Sequence, residues 1–476
     1  MSDFLTNNPN DRIAPWFGSL DIETQLHGKK LDFLKVLSKL DPDGSEIFSN
    51  TFIDVFGGVK TVGFRNKNKF TFGYTLESID QKVVDNYTNV ILGFIGESYP
   101  LSYIISYEKA CTIDDNFKTI CRSIEEIVKQ STIKPYLGPP FHKKKKKGKN
   151  KNNEENSKDI IVKHRGVWKY VTIRSTVYEG MYMVTMTNYV KNITDVDNYT
   201  ETLKQISDKL NQLIFVKSFH VCEYKDTVEP QPGDPLRAIF TKQSFLSEGY
   251  LGSTKGVYLG STQMNKESQD LGHLPNNILV EKIMNRYFVI SPNSFFQVNT
   301  ETTEILYQKI REMLTYMIGI KGGSKKNILI DMYCGTGSIG ICLADMFDHV
   351  IGIDVIESSI RDAELNAKIN RINNCEFILG RCEDLISRIK NDIDKYSDPA
   401  NIYLIVDPSR EGLHKKVKQF IKNLDFSGFV YCSCNVKSWG NDIEQLSQNI
   451  IPCKTLIVDM FPHTQHYEVL SCFLKN

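Results

Sequence analysis

The stretch NILIDMYCGTGSIG, residues 327–340, constrains the fold more than any other part of the chain. An apolar strand runs into a glycine-rich turn and then a helix start. An open α/β sheet receives ligands at such a place, at the N-terminus of a helix. Strands and helices alternate after it. HVIGID, CEFILG, IYLIVDP, GFVYCSC and TLIVDMFP are apolar runs separated by helical patterns. A helix over roughly 302–318 leads in. The alternation predicts βαβ units and a doubly wound α/β domain with a parallel sheet in the last third of the chain.

The turn itself narrows the ligand. Gly335, Gly337 and Gly340 let the backbone approach a bound molecule closely. Glycines of this kind also serve simply to make a tight strand–helix turn. Here an acid, Asp331, stands near the strand end, and no phosphate-cradling lysine follows. That favours S-adenosylmethionine, which has no phosphates, over a dinucleotide or ATP. Asp354, 23 residues after Asp331, ends the next apolar run and suits two ribose hydroxyls.

Three further polar segments follow apolar strands: IVDPSREGLH (405–414), YCSCNVKSW (431–439) and VDMFPHTQHYEV (458–469). The carboxyl ends of the strands should bring them to one edge of the sheet. A cysteine, an aspartate and a glutamate beside a methyl donor suit one chemistry. Carbon 5 of uracil is a poor nucleophile. A thiolate added at carbon 6 makes carbon 5 reactive toward a methyl group, and a base must then remove the proton left on carbon 5. Cys434 is the expected nucleophile, its thiolate favoured by a positively polarised loop, and Glu468 the expected base. Cys432 is read as a core thiol pointing to the other side of the strand. His463 and His466 are read as supporting or capping groups, because two histidines without a third ligand make a weak metal site.

Composition limits the remainder. A chain of 476 residues with 41% hydrophobic content can build two or three cores. Its net charge of +1 splits into 21 basic and 23 acidic residues over 286–476, and 37 against 34 elsewhere. Nucleic acid would therefore be held by local patches, not bulk charge. Eleven cysteines, with no C-x-x-C pair, read as reduced thiols and not as a zinc or iron–sulfur site. No apolar run reaches about 18 residues, so no membrane span is expected. The first residues lack the pattern of a secretory or transit leader. A helix is expected over 22–40, with Leu26, Phe33, Leu37 and Leu40 on its apolar face, and FRNKNKFTFGY (64–74) reads as hairpin-like. The Lys-rich run 142–158 reads as a disordered insert within a domain, since strand patterns resume at 167–176 and 182–190. The run Lys143–Lys147 is a solvated loop, a non-specific grip on phosphates or a nuclear address.

DMYCGTGSIG, DPSREGLH, YCSCN and DMFPHTQHYE, with ISPNSFFQVNT (290–300), together resemble the RNA 5-methyluridine methyltransferases, especially the eukaryotic tRNA (uracil-5-)-methyltransferase 2 group. GFRNKNKF (63–70) looks like that family's RNA-binding stretch. The resemblance implies a Rossmann-like S-adenosylmethionine-dependent methyltransferase domain at 286–476. It implies an RNA-binding α+β domain at 46–285, and residues 1–45 become an extension with a helix. It also implies that Gln297, Tyr333, Ser338, Asp354 and Asp407 contact the cofactor, that Cys434 is the nucleophile and Glu468 the base, and that Phe64, Arg65 and Lys67 meet RNA. The implied substrate is a tRNA T-loop uridine, flipped out of its stack. The chain departs from the family at Ser409 and Val436, each standing where a proline is usual, and at Phe64 and Lys69.

Four other readings compete. An RNA-binding tRNA-folding chaperone would open the T-loop with methylation secondary, and 5-methyluridine could be made in another RNA. A cytosine-5 methyltransferase would need a second cysteine where Ser409 stands. A small-molecule methyltransferase leaves the first half of the chain unexplained. The expected protein is a monomer without metal, cytoplasmic or nuclear in preference to mitochondrial.

Overall fold

The computed structural model describes residues 20–41, 45–58, 60–74, 90–98, 102–136, 166–225, 236–242, 277–322, 325–394 and 400–476. The Lys-rich insert expected at 142–158 lies outside the described residues.

The chain begins with α1 (Ile22–Leu37) and β1 (Phe52–Gly57). An upstream α+β layer follows: β2 (Lys67–Tyr74), β3 (Val90–Ser98), β4 (Ser102–Ser106), α2 (Asp115–Gln130), β5 (Trp168–Ser175), β6 (Tyr182–Tyr189), α3 (Val196–Gln212), β7 (Val216–Tyr224) and β8 (Arg237–Thr241). These strands form one sheet in the order β4-β3-β2-β5-β6-β7-β8. All pairs in it are antiparallel except β6–β7, whose crossover is α3. Phe117, Ile120 and Ile124 of α2 and Leu203, Ile206 and Leu210 of α3 share a core with Phe70, Val171, Val184 and Phe219 of the sheet. The hairpin expected at 64–74 is instead the single strand β2 and its lead-in, because both of its edges are already paired, with β3 and β5.

A two-stranded hairpin, β9 (Leu279–Ile283) and β10 (Arg286–Ile290), turns at Met284 and Asn285, both with positive φ. The alternating region follows it: α4 (Thr300–Lys321), β11 (Asn327–Met332), α5 (Ser338–Leu343), β12 (His349–Asp354), α6 (Glu357–Ile369), β13 (Cys375–Leu379), α7 (Ile386–Asp394), β14 (Asn401–Val406), α8 (Lys415–Asn423), β15 (Gly428–Ser433), α9 (Val436–Leu446), β16 (Ile450–Asp459) and β17 (Glu468–Lys475). The large sheet has the order β1-β16-β17-β15-β14-β11-β12-β13. Strand residues alternate between its faces. Ile328 and Ile330 pack with Phe33, Val417, Phe420 and Trp439, whereas Leu329 packs with α4 through Tyr307, Ile310 and Leu314.

Two expectations are corrected. The sheet is mixed, not parallel: β17 runs antiparallel to both β15 and β16. The domain boundaries also move. β1 pairs in parallel with β16, and α1 packs on the same face as α8 and α9. The chain therefore enters the catalytic layer before it builds the upstream one, so a cut at 45/46 separates α1 from its partner strand. A cut at 285/286 falls in the β9–β10 turn. The polar start of α1 hid this placement, because its buried ridge is Gln25, Lys29, Phe33 and Leu37, while Leu26 and Leu40 are only half-buried. Phe33 is fully buried, 5.3 Å from the ring of Phe52 and 5.4 Å from that of Trp439. Phe33→Ala should cost about 3–5 kcal/mol, read as a lower denaturation midpoint. An unchanged midpoint would mean that α1 does not dock.

Candidate active site

The sheet order places a crevice between β11 and β14. β11 connects outward to β12 on one side while the chain returns to β14 on the other. Ligands sit outside the carboxyl ends of strands at such a switch point. Asp331 and Tyr333 lie at the end of β11, Asp354 ends β12, Asp407 follows β14 and Cys434 follows β15. Glu468 comes to the same edge because β17 runs the other way, so that its first residue lies where its neighbours end. The β15–β17 register pairs Phe429 with Phe473 and Ser433 with Val469. One step further sets Cys434 opposite Glu468.

The glycine turn has the backbone its sequence suggests. Tyr333, Gly335 and Gly337 have φ of 67°, 55° and 74°. A Cβ on Gly337 would come within 2.8 Å of the Phe377 ring, whereas one on Gly335 would meet nothing within 4 Å, so open space lies over that residue. The Asp354 carboxylate accepts the N–H groups of Gly335 (3.0 Å) and Ile356 (2.8 Å), tying the turn to β12. The Ser338 hydroxyl lies 2.6 Å from that of Tyr307 on α4. Asp331 is buried. One of its oxygens accepts the Gly340 N–H at 3.1 Å and the other has no hydrogen-bond partner.

Acids dominate this edge. Burial pushes the Asp331 carboxyl up to about 8, with Asp407 and Asp354 adding repulsion. Burial likewise pushes Asp407 up to about 7 and raises Asp354. A cluster of buried carboxyls with raised values fits a cationic ligand and repels a polyphosphate. Together with the orphaned Asp331 oxygen and the space over Gly335, it fits S-adenosylmethionine, which carries a sulfonium and an ammonium.

The expected nucleophile and base share this environment. Burial, then Glu468 and Asp407, push the Cys434 thiol up to about 11, and Arg410 works in the opposite direction. The free protein thus holds a thiol there, not the thiolate expected from a polarised loop. Helix α9 does start at this point: the Asn435 side chain accepts the Lys437 N–H at 3.1 Å and caps it. The same Asn435 donates to the Arg410 carbonyl at 2.8 Å, holding the Asp407–Arg410 loop beside Cys434. Glu468 is buried, and its carboxyl is raised by burial and by Asp407 while Arg410 lowers it. Cys432 is the buried core thiol expected, but its side of the strand is corrected. Residues two apart in a strand share a face, and the Cys432 thiol lies 3.9 Å from a Glu468 oxygen, on the side of the base. His463 is anchored to α1: its backbone N–H donates to the Gln25 side-chain oxygen at 2.8 Å.

The seam with the upstream layer closes the site. The Asn66 N–H donates to the Val298 carbonyl at 2.8 Å, and its side chain donates to the Gln297 carbonyl at 3.2 Å, so Gln297 is held against the segment 63–67. Phe64 is 4% exposed, which makes its ring a packing group and corrects its expected contact with RNA. Arg65 and Lys67 remain half-buried at the seam. Sequence reading missed two residues here. Arg174, buried and directly opposite Lys67 in the β2–β5 register, donates to the Ser294 carbonyl and leaves its other terminal nitrogen without a partner. Phe295, two residues from Gln297, is 56% exposed. Its exposure could not be read from an F-F-Q-V run in which Phe296 and Val298 are buried.

Residues 269–476 match the family model described as tRNA (Uracil-5-)-methyltransferase. The last part of the chain therefore resembles a tRNA (uracil-5-)-methyltransferase domain. Over most of its length the chain is also similar to an uncharacterized RNA methyltransferase of Clostridium tetani, at 26% identity over 94% of this chain and 78% of the relative. It is similar to the tRNA (uracil-5-)-methyltransferase homolog B of Danio rerio, at 24% identity over 98% and 86%. Its fold is similar to the crystal structure of a Pyrococcus abyssi tRNA (uracil-54, C5)-methyltransferase in complex with S-adenosyl-L-homocysteine, with a TM-score of 0.60 and 20% identity over 96% of this chain and 84% of that one. Among the described residues no helix is long and apolar enough to cross a membrane.

The acid cluster makes cofactor binding pH-dependent with a definite sign. A bound cation stabilises the ionised carboxyls, so binding near neutral pH releases protons. S-adenosylmethionine affinity should rise as pH climbs from about 6 to about 8, through the raised values of Asp407 and Asp331. Calorimetry in buffers of different ionisation enthalpy checks it. S-adenosylhomocysteine, lacking the sulfonium charge, should show a flatter profile.

Proposed function

We propose that this protein methylates carbon 5 of uridine in RNA, with a tRNA T-loop uridine as the target, through a covalent adduct of Cys434. The observation that carries the reading is the register that sets Cys434 opposite Glu468 at the edge holding Asp331, Asp354 and Asp407. Bound S-adenosylmethionine would supply the methyl group and a positive charge among these carboxyls, held by Asp354, Asp407, Gln297, Tyr333 and Ser338. The Cys434 thiol would give its proton to solvent as its sulfur adds to carbon 6 of the uracil; the 5,6 π pair moves to carbon 5, which takes the methyl group, and the pair of the broken methyl–sulfur bond would stay on the donor's sulfur. Glu468 then removes the proton from carbon 5. The electron pair of that C–H bond forms the 5,6 double bond, the carbon–sulfur bond breaks, and its pair returns to sulfur.

The seam supports RNA as the substrate. Lys67 and Arg174 lie directly opposite one another, with Arg65 beside them donating to the Lys67 carbonyl at 3.1 Å. Like charges facing across strands repel. Burial pushes the Lys67 ammonium down to about 7, with Arg174, Arg65 and Lys69 adding to the shift. A phosphodiester there would relieve both the repulsion and the unpartnered Arg174 nitrogen. The exposed Phe295 ring, two residues from Gln297 in sequence, gives an extruded base a surface for stacking.

Incubation with tRNA carrying 5-fluorouridine and S-adenosylmethionine should yield a denaturant-stable protein–RNA adduct, because fluorine does not leave carbon 5 as a proton does. Cys434→Ser should abolish the adduct and retain tRNA binding. Tight tRNA binding by the wild type with no adduct would favour the chaperone reading. Lys67→Gln, assayed near pH 6 where Lys67 is charged, should weaken tRNA binding and reduce the slope of log affinity against log salt by about 0.7–0.9. An unchanged slope would remove Lys67 from the RNA interface.

A further inference from the structure

The N-terminal helix α1 touches both halves of the site, and nothing in the chemistry above requires it. Three of its side chains, spaced i, i+4 and i+7 along the helix, grip the segment that leads into Glu468. The Gln25 side-chain oxygen accepts the His463 N–H at 2.8 Å, and His463 needs that anchor because its φ is 63°. The Lys29 ammonium, 2% exposed, meets the Asp459 carboxylate at 2.5 Å and the Phe461 carbonyl at 3.2 Å. The Tyr467 hydroxyl, one residue before Glu468, donates to Asp32 at 2.8 Å. Asp459 ends β16 and Glu468 starts β17, so these contacts fix the whole connection between them.

The other contacts of α1 reach the nucleophile's helix. Phe33 packs on Trp439 of α9, and Trp439 donates to the Ser471 hydroxyl on β17 at 3.0 Å. A Cβ on Gly440 would come within 2.8 Å of Val36, so α1 and α9 approach with no room for a larger residue. Helix α9 starts two residues after Cys434.

We propose that α1 is a brace that fixes Glu468 relative to Cys434, with Lys29 and Tyr467 as positioning residues for the proton-removal step. A buried ion pair of this kind seldom adds much net stability. It does confine the connection to one position, and a base misplaced by about 1 Å can cost about 100-fold in rate. The proposal rests on the reading of Glu468 as the base.

The test separates addition from elimination. Wild type, Glu468→Gln, Lys29→Met, Lys29→Arg and Tyr467→Phe are given unmodified tRNA and S-adenosylmethionine in single turnover. Released 5-methyluridine and denaturant-stable adduct are then quantified, together with cofactor affinity. With ordinary uridine, adduct accumulates only when addition and methyl transfer proceed and proton removal lags. Lys29→Met should slow product release about 10–100-fold and accumulate methylated adduct as Glu468→Gln does, with cofactor affinity unchanged. Tyr467→Phe, which keeps the ring, should do the same to a smaller extent, and Lys29→Arg should restore most of the rate. The proposal is overturned if Lys29→Met and Tyr467→Phe turn over like wild type while Glu468→Gln traps adduct. It is equally overturned if adduct and product fall together with cofactor binding, which is what mere unfolding gives. If Glu468→Gln traps nothing and turns over normally, the assignment of the base fails instead.

Discussion

The reversed strand β17 is the constraint on which the site depends. A fully parallel sheet would deliver strand C-termini to the crevice and nothing else. Inserting an antiparallel strand between β15 and β16 brings a strand N-terminus there, and its first residue is Glu468. The hydrogen-bonded register with β15 then sets Glu468 against Cys434 by backbone geometry. The cost is burial of a carboxyl beside Asp407, and the structure offsets part of it with Arg410, whose loop is tied to Asn435.

Two electrostatic regions of opposite sign meet at the seam. On the sheet edge, Asp331, Asp354, Asp407 and Glu468 raise one another or are raised by burial. Across the seam, burial lowers Lys67, Arg65 and Arg174, and Arg174 and Arg65 lower Lys67 further. Each region alone is unfavourable, and each suits one half of a methyl-transfer complex: a cationic donor among the acids, a polyanion among the bases. The Asn66 side chain joins them through Gln297 and Thr300.

Much of this was legible in the sequence, because its signals are local. The glycine turn, the acid tips and the Cys-Asn helix start are short patterns whose backbone follows from their residue types, and Gly337 and Asn435 behave accordingly. What was not legible is long-range. No local pattern says that β17 returns between two earlier strands, or that β1, some 400 residues before β16, pairs with it. The buried ridge of α1 escaped because half of it is polar. Gln25 and Lys29 are buried by partners at His463 and Asp459, which a helical period cannot reveal. Cys432 was misplaced by a wrong phase along a strand, and Phe64 by a pattern whose aromatic position does not guarantee exposure.

The early entry of the chain into the catalytic layer has a physical rationale. β16 would otherwise expose one edge, and an unpaired edge invites association. β1 covers it from Phe52 to Gly57, and α1 covers the face below through Phe33 and Leu37. Those two elements also sit directly before the upstream sheet. The segment 63–67 leaves β1 and runs to the seam, where Asn66 bonds Val298 and Thr300. One stretch of chain thus adds the outermost strand of the large sheet and holds Gln297. It places Lys67 at the seam, opposite Arg174 and within one strand-lead of the cofactor edge. Through Gln25, Lys29 and Asn66, this one run of chain is bonded both to the segment leading into Glu468 and to Gln297.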